Sequence, residues 1–200
     1  DALTAVNLGV DAIGFVFYPK SPRAIQANDA QKIIANLPPF VSAVGLFVDA
    51  SRDSIREILN KVELNLLQFH GNEAPEFCDQ FDLPYIKSIR MSPDRDLIKY
   101  SKQYPLARGL LLDAYKPGIP GGTGMAFDWL SVPRTSLSPP MILAGGLNYK
   151  NVSEAIRILR PWAVDVSTGV EDSPGIKDSN LIAEFVREVS CCNGPREQND

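Results

Sequence analysis

One alternation governs what this chain can fold into. Short apolar runs of four to seven residues, at 12–17, 42–48, 64–69, 85–89, 109–113, 141–144 and 163–166, take turns with helical patterns. Runs that short, bounded by Pro, Gly, Asp or Asn, read as strands buried on both faces, where period-2 alternation is lost because neither face meets water. Helices are predicted at 29–37, 51–61 (Ser51 as N-cap), 75–81, 94–102, 151–159 and 179–189. A helix over 1–8, closed by Gly9, opens the chain, and a weak helical patch surrounds Trp129.

Buried strands separated by helices call for a parallel sheet with the helices outside. One helix followed by seven strand–helix units falls one strand short of an eightfold barrel. The expected class is therefore α/β, a (β/α)8 TIM barrel with the first β-strand absent from this chain. A doubly wound open sheet is the alternative, disfavoured because no Gly-x-Gly-x-x-Gly turn follows the first strand. Two hundred residues make one domain, expected over 1–190, with a polar tail at 191–200.

Charge narrows the partners. Twenty Lys and Arg against 24 Asp and Glu give a net charge of −4 and a sequence pI near 5.1, which argues against nucleic acid or an anionic membrane. A local anion site remains open, since a few backbone N–H groups bind phosphate without altering net charge. No apolar run approaches the ~18 residues of a membrane span. Three cysteines, Cys78, Cys191 and Cys192, make no disulfide framework, so a reducing, cytoplasmic compartment is expected, or a plastid if a transit segment preceded Asp1. With one histidine and no cluster at ligand spacing, no metal site is expected. Nothing in the sequence sets an oligomeric state.

A barrel carries its chemistry at the C-terminal ends of its strands. There the sequence places Arg23, His70, Asp113, Gly145-Gly146 and Ser167-Thr168-Gly169. Glycine turns after the last two strands are the usual phosphate site of a barrel, because they let successive N–H groups face a ligand; glycines that merely end strands are the alternative. Asp113 ends an apolar strand, where a carboxyl partly removed from water can serve as a general acid; a capping or salt-bridged aspartate is the alternative. Arg23, in the rigid turn after Pro19-Lys-Ser-Pro22, can hold a carboxylate bidentately or simply be a solvated surface residue. His70 reads as a ligand contact and not as a base, Cys78 as a small buried hydrophobe. Gly122 and Gly124, in the Gly/Pro-rich loop 114–125, are expected to close over a ligand.

Six segments in order bring these residues together: Gly14-Phe-Val-Phe-Tyr-Pro-Lys-Ser-Pro-Arg23, Gln68-Phe-His-Gly71, Leu112-Asp113 with Gly121-Gly-Thr-Gly124 and Phe127-Asp-Trp129, Ala144-Gly-Gly-Leu147, Asp165-Val-Ser-Thr-Gly-Val-Glu171, and Ser173-Pro-Gly-Ile-Lys-Asp178. Over nearly the whole chain the sequence resembles the phosphoribosylanthranilate isomerases of tryptophan biosynthesis. The resemblance implies a cofactor-free Amadori rearrangement of an aminoaldose phosphosugar, N-(5-phosphoribosyl)anthranilate, to the aminoketose 1-(2-carboxyphenylamino)-1-deoxyribulose 5-phosphate. It implies Asp113 as the acid that protonates the furanose ring oxygen and Arg23 as the holder of the anthranilate carboxylate. The turns at Gly145-Gly146 and Ser167–Gly169 would then hold phosphate.

The sequence departs from the family at one place. Family members begin with a strand of the type Lys-Ile-Cys-Gly, whose Cys removes the C2 proton, and no such strand follows Asp1. The expectation from sequence is a fragment, nearly inactive as it stands because losing an acid or base costs about 10²–10⁴-fold. A catalytically silent phosphate-binding barrel with a sensing or scaffolding role is the alternative. A metal-dependent epimerase or an indole-glycerol-phosphate synthase fits less well, for want of histidines and of strand-end lysines respectively.

Overall fold

The seven apolar runs pair side by side in a computed structural model that describes residues 1–92, 96–114, 129–132 and 137–192. Strands β1 (Ala12–Val16), β2 (Ser42–Phe47), β3 (Leu66–Phe69), β4 (Tyr85–Met91), β5 (Gly109–Ala114), β6 (Met141–Leu143) and β7 (Ala163–Val164) form one parallel sheet in sequence order. The sheet curls, and its helices lie on the outer face: α1 (Ala2–Asn7), α2 (Ala27–Ile34), α3 (Arg52–Leu59), α4 (Pro75–Cys78), α5 (Leu97–Ser101), α6 (Val152–Leu159) and α7 (Ser179–Cys191). Among the described residues the outer strands β1 and β7 do not pair with each other.

Strand alternation sorts each residue to the helix layer or the inside of the curl. Leu67, Phe69, Ile89, Leu110 and Leu112 face the helices in the main core. Ile86, Leu111 and Ala144 make a small inner cluster, while Leu143 joins a second outer core with Val152, Ala155, Ile182 and Phe185. All six residues of β5 are buried, whereas only Phe15 of β1 and neither residue of β7 is.

Local chemistry sets the ends of the elements. Ser51 Oγ accepts from Ser54 N at 3.2 Å, as expected of the α3 N-cap, and Asp178 caps α7 by accepting from Asn180 N and Leu181 N. Helix α2 stops at Ile34 and not 37, because Asn36 N and Leu37 N turn to the tighter carbonyls of Ile33 and Ile34. Strand β7 is two residues long, shorter than the expected 163–166. Helix α4 ends at Cys78, and α7 runs on to Cys191, which the sequence had put in the polar tail. An antiparallel ribbon, β8 (Glu171–Ser173) and β9 (Ile176–Lys177), was not anticipated. Its strands, of three and two residues with Ile176 as their one apolar side chain, carry no strand signal; Pro174-Gly175, with Gly175 at φ +90°, turns it.

Candidate active site

Asp113, 5% exposed, leaves the inner face of β5 beside the turn that follows β3. His70 Nε2 lies 3.0 Å from Asp113 Oδ2, and Ala114 N donates to Asp113 Oδ1 at 2.8 Å. The other imidazole nitrogen, Nδ1, lies 2.8 Å from Ser88 Oγ and 3.0 Å from Gln68 Nε2. Both ring nitrogens are thus engaged by protein groups, which fixes the ring plane against the carboxyl.

Behind this pair, in the helix layer, a buried cation holds the turn. Lys87 is fully buried on β4 and donates through Nζ to Phe69 O (3.2 Å), Gly71 O (2.8 Å) and Glu73 Oε2 (3.0 Å). It therefore grips the carbonyls on both sides of His70. Glu73 in turn accepts from Gly71 N and from Asp49 N at the end of β2, and Tyr104 lies under the ammonium with its ring centroid 5.8 Å away. A buried charge pair is tolerated only where hydrogen bonds complete it, and this one is completed by backbone.

Across the cavity the polar groups are mostly main chain. Gly145 and Gly146 both take positive φ (+76° and +69°) after β6, a conformation that favours glycine, and a Cβ at Gly145 would collide with Ala114 N. A Cβ at Gly169 would collide with Leu147 O, so the two glycine turns abut. Arg23 reaches the same rim. Its Nε and Nη2 donate to Glu171 Oε1 and Oε2 at 2.7 and 2.6 Å, and Lys177 Nζ donates to Glu171 Oε1 at 2.9 Å. Burial would raise the Glu171 pKa, but the hydrogen bonds from Arg23 and Lys177 prevail and hold it down at about 2.

A cavity of about 470 Å³ opens between these two sides, and Arg23, His70, Asp113, Gly145, Gly146, Ser167, Thr168 and Gly169 all line it. The described residues given a binding or catalytic role from the sequence thus converge there. Gly122 and Gly124 lie outside the described residues. Sequence reasoning missed Asp165, which lines the cavity and is exposed along it. Close protein around the Asp165 carboxyl and the nearby Asp113 raise its pKa, against the pull of His70 and Lys177. Ser88, Glu171 and Lys177 were also missed as site residues; the only hint was that Glu171 and Lys177 fall inside the resemblance segments. Cys78 is buried with its thiol pushed up to about 12 by desolvation, and Cys191 and Cys192 sit at the end of α7, so no described cysteine lines the cavity. Among the described residues no His, Cys, Asp and Glu cluster could hold a metal ion, and no helix is long and apolar enough to cross a membrane.

Comparison with known proteins agrees with this architecture. The N-(5'-phosphoribosyl)anthranilate (PRA) isomerase family model matches residues 1–188. The chain is 57% identical over 189 residues to N-(5'-phosphoribosyl)anthranilate isomerase of Pseudomonas putida (strain GB-1), covering 94% of this chain and 91% of that one. The crystal structure of phosphoribosyl anthranilate isomerase from Thermotoga maritima is similar at a TM-score of 0.87 and 40% identity, over 96% of this chain and 93% of that one. A phosphoribosyl anthranilate isomerase in complex with reduced 1-(o-carboxyphenylamino)-1-deoxyribulose 5-phosphate is similar at a TM-score of 0.81 and 38% identity, over 96% and 93% of the two chains. The chain belongs to the N-(5'-phosphoribosyl)anthranilate isomerase family.

Proposed function

We propose that the cavity binds N-(5'-phosphoribosyl)anthranilate by its two anionic ends and rearranges it to 1-(2-carboxyphenylamino)-1-deoxyribulose 5-phosphate, the isomerase step of tryptophan biosynthesis. The observation that carries this reading is the convergence on one cavity of a buried carboxyl, an arginine and two abutting glycine turns. Phosphate sits against the N–H groups of Gly145-Gly146 and Ser167–Gly169, and the ring carboxylate sits on Arg23. Asp113 gives its proton to the furanose ring oxygen as the C1–O bond breaks, leaving an iminium between C1 and the anthranilate nitrogen. Loss of the C2 proton gives an enolamine, which tautomerises to the aminoketose. His70 holds the Asp113 carboxyl in place through the 3.0 Å contact. Each step moves only protons and the electrons of the substrate's own bonds, so the scheme calls for no cofactor.

In this reading the fold is an eightfold barrel. Among the described residues β1 and β7 do not pair with each other and suit one further parallel strand between them, and the family's Lys-Ile-Cys-Gly strand would bring the thiolate that takes the C2 proton. The test is an isomerase assay, with substrate generated in situ and its fluorescence loss followed, on this chain and on the chain carrying such a strand ahead of Asp1. Turnover by either protein, cut about 10²–10⁴-fold by Asp113→Asn, is expected. Two folded proteins without turnover would contradict the proposal.

A further inference from the structure

Glu171 stands where the two anion sites meet. Its side chain is 3% exposed, and it receives a bidentate contact from Arg23, itself 18% exposed. The contact uses Nε and Nη2, the side-on edge of the guanidinium. A guanidinium has a second, end-on fork formed by Nη1–H and the other Nη2–H, which points away from the first. Toward that fork, among the described residues, lies a long contact, 3.4 Å from Nη2 to Thr168 Oγ1, and Arg23 lines the cavity.

The second oxygen contact runs the other way. Lys177 Nζ donates to Glu171 Oε1 and also to Ser167 O at 3.0 Å, in the turn assigned to phosphate. Glu171 and Lys177 face each other directly across the β8–β9 ribbon, so their pairing is set by register. The ribbon's tip abuts the arginine loop, with a Cβ at Gly175 falling 3.2 Å from Pro22 O. One carboxylate thus links the arginine of one subsite to the backbone of the other.

We propose that Glu171 is a positioning residue for carboxylate recognition: it occupies the side-on edge of Arg23 so that the end-on fork alone meets the substrate, and through Lys177 it fixes the distance between that fork and the phosphate turn. This rests on the assignment of the ring carboxylate to Arg23. Without Glu171 the guanidinium is free to rotate about its long side chain, and the requirement for a carboxylate on the substrate ring is lost while phosphate binding persists.

Two ligands separate the possibilities: reduced 1-(o-carboxyphenylamino)-1-deoxyribulose 5-phosphate and its counterpart with a plain phenylamino ring, titrated by calorimetry. Glu171→Gln is expected to weaken the carboxylated ligand about tenfold, the scale of one charge-assisted contact, and the phenyl ligand less than about twofold. Glu171→Asp, a smaller change at the same place, is measured alongside and is expected to show the same preferential loss. Lys177→Met is expected to weaken both ligands, because it unties the Ser167 turn. Equal weakening of both ligands in the Glu171 variants, or none, overturns the inference, as does a Lys177→Met protein that binds both unchanged. Arg23→Met is the control for the underlying assignment. If it keeps the preference for the carboxylated ligand, the arginine reading itself fails; if it loses the preference while the Glu171 variants keep it, only the positioning role of Glu171 fails.

Discussion

Asp113 and Arg23 face one cavity but are held there by different means. Asp113 rises from β5, whose six residues are all buried, and its neighbours His70, Ser88 and Gln68 are strand or strand-end side chains no more than 8% exposed. Behind them Lys87, wholly buried, braces the turn on both sides of His70. Arg23 instead sits on a loop at the open side of the sheet, where β1 and β7 are mostly unburied and the donors are glycine turns and partly exposed cations. The contrast matches the tasks proposed for the two sides. A proton donor needs one fixed, dry geometry, which strands in a sheet centre provide. An anion site needs several donors of the right sign, which turns and a two-stranded ribbon supply with less core behind them.

The sharpest way to break the comparison is at the acid. Asp113→Asn is expected to lower kcat by about 10²–10⁴ with little change in KM, since the group acts on the transition state; an isomerase assay showing a raised KM and an intact kcat would move Asp113 to the binding side. Next comes its brace. Lys87→Met leaves Glu73 buried without its cation, and a loss of about 3–5 kcal/mol is expected in urea unfolding. A loss below about 1 kcal/mol would mean that the N–H groups of Asp49 and Gly71 on Glu73, and not Lys87, hold the turn.

The open side carries a smaller, pH-dependent share. Glu171 has its folded pKa depressed to about 2 from an ordinary 4.5, so the stability it contributes is present above pH 4.5 and is lost as pH falls towards 2. Wild type should therefore lose more stability than Glu171→Gln across that interval, by at most about 3 kcal/mol and less where water screens the flanking cations. Parallel acid-unfolding curves would contradict the assignment. The smallest effect is expected away from both sides: Ser51→Ala removes the α3 N-cap and should cost about 1 kcal/mol in thermal unfolding with unchanged kinetics.

The same contrast explains what was legible in the sequence. Residues 109–113 announce a strand ending in a carboxylate, and a strand end in a parallel sheet is a place the sequence can name. The glycine turns were legible for the same reason. Arg23 could be named as a candidate carboxylate holder, but its partner could not: Glu171 lies 148 residues away on a ribbon without apolar periodicity. Asp165 was hidden because β7 ends before it, at Val164, so the expected strand over 163–166 covered it. Lys87 and Glu73 look like ordinary surface charges until the turn after β3 brings them together inside the helix layer.

The most direct test is a crystal structure of this chain with reduced 1-(o-carboxyphenylamino)-1-deoxyribulose 5-phosphate bound. The ring carboxylate should lie at hydrogen-bond distance, about 2.7–3.2 Å, from the end-on fork of Arg23. The phosphate should rest against Gly145-Gly146 and Ser167–Gly169, with the Asp113 carboxyl facing the oxygen released when the sugar ring opens. A ligand bound with its carboxylate and phosphate exchanged, or with Asp113 beyond reach of that oxygen, would contradict the account.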